Sequence, residues 1–367
     1  MKWQWKLGRF AGIDVYVHVT FLLIVGWVAY SHWLMHRNWS EVLTGILFVL
    51  VLFLCVILHE YGHALTARRY GIRTRDITLY PIGGVARLER MPDNPIEELW
   101  VALMGPAVNA VIAAVLYVYL SVSESLVPLD QLTIASGSFL ERVMMVNVSL
   151  VLFNLLPAFP MDGGRVLRAL LALRMDYVRA TQIAATIGQG MAFLFGFIGL
   201  FSNPFLLFIA FFVYIGASQE ASLVMMKNSI SGIPVARAML TDFRTLSPSD
   251  TLARVVGLIL AGSQHDFPVV DAMGRVAGVL ERDVFMRALA QHGQSASVMD
   301  FIRQDLPEVD SHDMLELALM RLQEVGAKTL PVTHAGQLVG LITAENITEY
   351  LMIRSALKAA QGITQLA

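Results

Sequence analysis

The chain reads as an α-helical polytopic membrane protein with about six transmembrane helices and a small re-entrant β-hairpin, followed by a C-terminal cytosolic α/β module built as a tandem repeat. Three observations predict this. The 367 residues are 56% hydrophobic and 15% charged, with mean hydropathy +0.60, whereas soluble chains carry about 25% charged residues. Apolar runs of about 20 residues, the length of a bilayer crossing, recur as far as Val224. After Lys227 the composition becomes that of a soluble domain and the sequence repeats itself.

Taken in order, Lys2, Lys6 and Arg9 precede Ile13–Val19, whose alternation suggests a short strand leading into a helix. The first apolar run is too long for a cleavable signal peptide and lacks a small-residue cleavage pattern. The expected spans are Val17–Leu34, Leu43–Ala67, Leu99–Val122, Phe139–Leu156, Ile183–Phe201 and Phe205–Val224. Ile77–Leu88 interrupts them, with β-prone residues on either side of Pro81-Ile82-Gly83-Gly84, the pattern of a hairpin or re-entrant element. Ser123–Ser138 is expected to be a polar loop.

Charge orients the spans. If six spans alternate, Lys2, Lys6, Arg9, Arg68, Arg69, Arg73, Arg75, Arg165, Arg168, Arg174, Arg179 and Lys227 share one side. Arg37, Glu41, Glu124 and Asp130 fall on the other. The positive-inside rule then places both termini in the cytoplasm, with the chain multi-pass in the cytoplasmic (inner) membrane. A net charge of −2 gives no electrostatic footprint for nucleic acid. Cys55 is the sole cysteine, which excludes an internal disulfide and thiolate zinc.

The chemistry concentrates at the end of the second run. Leu43–Leu58 has no charged residue, and then His59-Glu60-Tyr61-Gly62-His63 follows. On a helix, His59 and His63 lie one turn apart on one face. Two imidazoles at that spacing can bind one Zn²⁺, leaving Glu60 to act as general base on water. Ionisable groups in an apolar helix are functional by default; the bland alternative is a solvated motif just beyond the membrane edge, near Arg68. Catalytic zinc takes three protein ligands. Asp162, bracketed by Pro160 and Gly163-Gly164 on the same predicted side, is the best third ligand, and it could also cap the helix after it. His18 reads as a packed histidine, and His32 and His36 sit toward the opposite side. Asn109 fits a helix–helix hydrogen bond, while Asn154 fits either that role or donation to a developing oxyanion.

The membrane part resembles the site-2 protease family of intramembrane metalloproteases, in its branch with C-terminal CBS modules, to which the sporulation-factor proteases also belong. His59-Glu60-Tyr61-Gly62-His63, Gly105-Pro106-Ala107-Val108-Asn109, Asn154-Leu155-Leu156-Pro157 and Pro160-Met161-Asp162-Gly163 carry the resemblance. Met161 departs from the family's usual leucine. The resemblance implies that His59, His63 and Asp162 hold one zinc ion, that Glu60 is catalytic and that Asn154 helps hold substrate or the oxyanion. It also implies that Tyr80–Val85 belongs to a membrane-dipping hairpin. The expected activity is endopeptidase cleavage of transmembrane protein segments, such as those of an anti-sigma factor, a pro-sigma factor or a signal-peptide remnant, within the lipid bilayer. A CBS-regulated transporter and a non-catalytic membrane scaffold are the rival classes; neither explains the metalloprotease spacing.

The repeated halves are Phe267–Phe285 and Leu330–Thr348, each preceded by a helical stretch. They resemble CBS modules, which associate in tandem and often bind adenine nucleotides between repeats; the alternative role is a structural module that dimerises the protein. The family pattern is a glycine-led strand, a Thr or Ser, then an Asp gripping ribose. The first copy keeps Asp283 but has Glu281 at the hydroxyl position; the second keeps Thr343 but has Asn346 in place of the aspartate. The expected division is 1-226 for the protease part, 227-292 for the first module and 293-367 for the second.

Overall fold

The computed structural model describes residues 3–81, 83–92, 94–123 and 137–364. Lys2, Ile82 and most of the expected Ser123–Ser138 loop, including Glu124 and Asp130, lie outside the described residues. Two compact units divide the chain, Met1–Val224 and Met225–Ala367.

The first unit opens with strands β1 (Gln4–Phe10) and β2 (Ile13–His18). They turn at Ala11-Gly12, where φ values of 48° and 85° make the tight antiparallel turn that matches strand twist. Helices α1 (Phe21–His36) and α2 (Trp39–Arg69) follow, then strands β3 (Thr74–Tyr80) and β4 (Gly83–Leu88). The remaining helices are α3 (Pro95–Val122), α4 (Phe139–Asn154), α5 (Asp162–Ala172), α6 (Tyr177–Phe201) and α7 (Phe205–Ile230), the last crossing the unit boundary.

The expected hairpin is present, but it is half of a larger sheet. The strand order is β1-β2-β3-β4, with β2 and β3 parallel and α1 and α2 forming the crossover between them. β2 shows the anticipated alternation, burying Ile13, Val15 and Val17. β1 escaped notice because none of its residues is buried, so its sequence carries no alternation.

Among the described residues, four helices are long and apolar enough to cross a bilayer: α2 with 31 residues, α3 with 28, α6 with 25 and α7 with 26. The expected first and fourth spans form helices of 16 residues each. At 1.5 Å per residue that is about 24 Å, short of a hydrocarbon core of about 30 Å.

The helix ends follow from local sequence. Asn38 accepts from the Ser40 N–H at the start of α2, and Arg68 and Arg69 complement the dipole at its end. Ser138 and Glu141 make a reciprocal capping box at α4. Gly62 lets α2 approach α3 backbone to backbone, since a Cβ there would collide with the Met104 carbonyl.

A buried ion network fixes α5. Arg168 is fully buried. Its Nε donates to Glu98 Oε1 of α3 at 2.8 Å and its Nη1 to Glu220 Oε1 of α7 at 2.6 Å. The guanidinium also lies over the Phe159 and Tyr177 rings, 5.0 Å from each centroid.

The second unit contains α8 (Leu252–Ala261), β5 (Phe267–Val270), β6 (Val276–Leu280), α9 (Arg282–His292), β7 (Val309–Asp310), α10 (Leu315–Val325), β8 (Thr329–His334), β9 (Gln337–Thr343) and α11 (Ala344–Thr364). The duplication read from sequence appears as antiparallel pairs β5–β6 and β8–β9, with Pro268 and Pro331 at matching positions. Each pair supports its own apolar core. Val298 joins Leu252, Phe267 and Phe285 in the first. Ile233 and Val235 join Leu315, Leu330 and Ile342 in the second. Each core is thus completed by the segment that precedes the other repeat.

Candidate metal centre

α2 and α5 bring together three buried side chains. His59 Nε2 and His63 Nε2 lie 3.1 Å apart, and each is 3.2 Å from Asp162 Oδ2. Their exposures are 6%, 5% and 7%. Tetrahedral zinc with ligands at about 2.0–2.1 Å requires ligand atoms roughly 3.3 Å apart, so the triangle fits one zinc ion with a fourth position open.

The far sides of the rings settle which nitrogen faces the shared point. His59 Nδ1 donates to Asn109 Oδ1 at 2.6 Å, and His63 Nδ1 donates to the Val101 carbonyl at 2.7 Å. Both acceptors belong to α3. With both Nδ1 atoms protonated, both Nε2 lone pairs point at the shared site. Asn109 donates in turn to Asn147 Oδ1 at 2.8 Å, and Asn147 donates to the Val143 carbonyl at 2.8 Å and to Cys55 Sγ at 3.4 Å.

Glycines open the space. A Cβ on Gly105 would collide with His63 Nε2 and lie 2.7 Å from His59 Nε2. A Cβ on Gly84 would lie 2.9 Å from Glu60 Cγ. Glu60 therefore packs directly on the backbone of β4, and its Oε2 accepts from the Ala86 N–H at 3.2 Å. Ala86 pairs with Ile77 across β3–β4, yet its N–H faces Glu60, so that N–H lies on the outer edge of β4. Among the described residues β4 is the edge strand on this side of the sheet.

Asn154 stands apart from this cluster: its Nδ2 donates to the Leu150 carbonyl one turn back on α4, at 2.9 Å. His18 is hydrogen-bonded to Thr20 Oγ1 at 2.7 Å, and His32 to the Val28 carbonyl at 3.0 Å. Asn109 holds a metal-facing histidine as well as bridging helices, which the helix–helix reading alone did not contain. Asn147 was missed. It is a fully buried amide in an apolar helix, the signal that marks intramembrane function.

In the second unit, Asp283, Thr343 and Asn346 line one cleft of about 670 Å³, a volume typical of small-molecule sites. Lys328 donates to Asp283 Oδ2 at 2.6 Å, and this hydrogen bond holds the carboxyl below its usual range. Thr343 Oγ1 donates to Asn346 Oδ1 at 2.7 Å and accepts from the Asn346 N–H at 3.1 Å. The Thr343 hydroxyl thus caps its own helix.

Comparison with known proteins identifies both parts of the chain. Residues 47–196 match the model of peptidase family M50, and residues 235–291 and 298–353 each match the CBS domain. The zinc metalloprotease MJ0392 of Methanocaldococcus jannaschii is 30% identical over 354 residues, covering 96% of this chain and 97% of that protein. Stage IV sporulation protein FB of Bacillus subtilis is 27% identical over 157 residues, 42% of this chain and 51% of that one. Among solved structures, a site-2 protease from Methanocaldococcus jannaschii is 36% identical and covers 59% of this chain and 95% of its own, with a TM-score of 0.44. The chain belongs to peptidase family M50, the site-2 proteases, as a membrane-integral zinc metalloprotease with a pair of CBS domains.

Proposed function

We propose that His59, His63 and Asp162 hold the zinc ion, that Glu60 is the general base, and that the substrate is a transmembrane segment of another membrane protein. The observation that carries this is the buried triangle of ligand atoms at 3.1–3.2 Å with both outer imidazole nitrogens engaged. Zinc held there supplies Lewis-acid activation of water and of the scissile carbonyl. Glu60 takes the proton of the attacking water and delivers it to the departing amine. Asn154 reaches substrate backbone or the oxyanion by exchanging its bond to the Leu150 carbonyl for one to substrate.

A transmembrane helix satisfies its peptide groups internally, so it must unwind before hydrolysis. The β4 edge beside Glu60 supplies backbone partners for the unwound strand. Strand-breaking substitution at Val85 and at Ile82 is expected to lower cleavage of a transmembrane substrate; unchanged cleavage would remove the edge from the mechanism.

The topology we favour has six crossings of the inner membrane, a re-entrant β3–β4 hairpin and both termini in the cytoplasm. Residues 1-226 then form the protease part and 227-292 and 293-367 the two CBS modules. Anti-sigma factors, pro-sigma factors and signal-peptide remnants are the substrate classes, and the similarity to a stage IV sporulation protein supports a sporulation-factor substrate. The CBS cleft takes an adenine nucleotide and adjusts activity, and the CBS pair dimerises the protein.

The deciding experiment uses detergent-purified protein and a single-span substrate. Glu60→Gln is expected to keep zinc and lose cleavage. Persisting cleavage would sink the assignment of Glu60, and zinc content in His59→Ala/His63→Ala equal to that of the wild type would sink the ligand assignment.

A further inference from the structure

The two CBS repeats build one turn twice. Leu246 pairs in parallel with Val269 in the first repeat, and Val309 with Val332 in the second. This register equates Ser247 with Asp310, Ser249 with His312 and Asp250 with Asp313. Asp250 Oδ2 accepts from the Ser247 N–H at 2.8 Å, and Asp313 Oδ2 accepts from the Asp310 N–H at 3.1 Å. The shared aspartate and the side chain at 247 or 310, which accepts from the N–H two residues on, satisfy the turn, so its hydrogen bonds ask nothing of the side chains at 312 and 334. Strand alignment likewise equates Asp271 with His334.

In the first repeat these positions hold Ser247, Ser249 and Asp271, and Asp271 is engaged by Arg275 at 2.9 Å. In the second they hold Asp310, His312 and His334, two imidazoles and a carboxylate converging on one surface point. One ligand atom from each lies within 4.8 Å of the others. His312 Nδ1 is 3.1 Å from Asp310 Oδ1, and the two imidazole rings are 4.9 Å apart between centroids.

The backbone beneath them is fixed. Asp310 Oδ1 also accepts from the His312 N–H at 2.8 Å, and the Asp310 carbonyl accepts from the Asp313 N–H at 2.9 Å. His334 precedes the Ala335-Gly336 hairpin turn, with φ of 51° and 79°. The nearby Arg321 is engaged by the Glu308 carbonyl and Asp313. The His312 and Asp310 side chains are 77% and 46% exposed, and Ser311 Oγ lies 3.3 Å from His312 Nδ1 and 3.5 Å from His334 Nδ1.

We infer that the second CBS repeat carries its own divalent transition-metal site, formed by Asp310, His312 and His334. Imidazole with carboxylate suits zinc, nickel or copper, with the remaining positions open to solvent. This site is separate from the protease centre and does not depend on how that centre works.

Zinc is the probe, with the untagged full-length chain in detergent and bound metal measured after equilibrium dialysis. The wild type is expected to hold two zinc ions per chain and H312S/H334N one, with cleavage of a single-span substrate retained in that variant as the check on folding. His59→Ala/His63→Ala is expected to hold one, and all four substitutions together none. Equal zinc in the wild type and H312S/H334N would overturn the inference. Equal zinc in the wild type and His59→Ala/His63→Ala would instead overturn the protease ligand set, so the two failures are distinguishable.

Discussion

A Cβ at Gly105 would collide with His63 Nε2 and lie 2.7 Å from His59 Nε2, while helix propensity at that position favours alanine by about 1 kcal/mol over glycine. Gly105→Ala should therefore leave helical circular dichroism intact and lower bound zinc as far as His59→Ala/His63→Ala does, with cleavage lost. Zinc equal to that of the wild type would show that the two rings can yield. Asn109 acts more gently. It is the acceptor that turns His59 Nε2 toward the metal, and loss of such a partner typically costs about 10–100-fold in metal affinity or activity. Asn109→Ala should fall in that range by metal titration, and Asn109→Asp, which keeps an acceptor, should lose less. Equal losses in the two variants would argue against the tautomer role.

α5 carries Asp162 at its first residue and Arg168 in its second turn, so the position of the proposed zinc ligand is tied to a buried guanidinium. Arg168 bonds both Glu98, itself 2% exposed, and Glu220. Removing one partner of a buried ion pair costs about 3–5 kcal/mol, because the other charge is left uncompensated. Arg168→Met should lower thermal stability in detergent by that order and loosen zinc through displacement of Asp162. Removing the stranded charge as well, in E98Q/R168M, should recover much of the loss. If the double variant is no more stable than Arg168→Met, the cost lies in packing against Phe159 and Tyr177 rather than in charge. The α2 motif acts differently at this scale: His59 and His63 share one helix, so their spacing alone sets their alignment.

That difference explains what was legible across the whole molecule. His59, Glu60 and His63 could be read because helix period places them, and the CBS pair because its pattern recurs. Asp162 could be read only as a candidate, since its meeting with α2 depends on how α5 docks. Asn147 and the outward-facing edge of β4 could not be read, because each is defined by a partner distant in sequence, and β1 could not because its residues carry no burial alternation. The CBS cleft shows the same limit. Sequence pointed to Asp283, Thr343 and Asn346, but the wall they share also holds Asp242, Asp266, Glu345 and Glu349, against Arg282 and Lys328. Asp266 takes its hydrogen bonds from the Arg282 N–H and the Thr329 hydroxyl, both neutral donors, so the wall's five carboxylates face two cations. Each added phosphate therefore meets more repulsion than attraction. In calorimetric titration of the full chain, AMP should bind more tightly than ATP, and Lys328→Ala should widen the gap by removing one of the two cations. ATP binding more tightly than AMP would mean that cations outside this wall receive the phosphates, and the charge of the cleft would then not set its ligand.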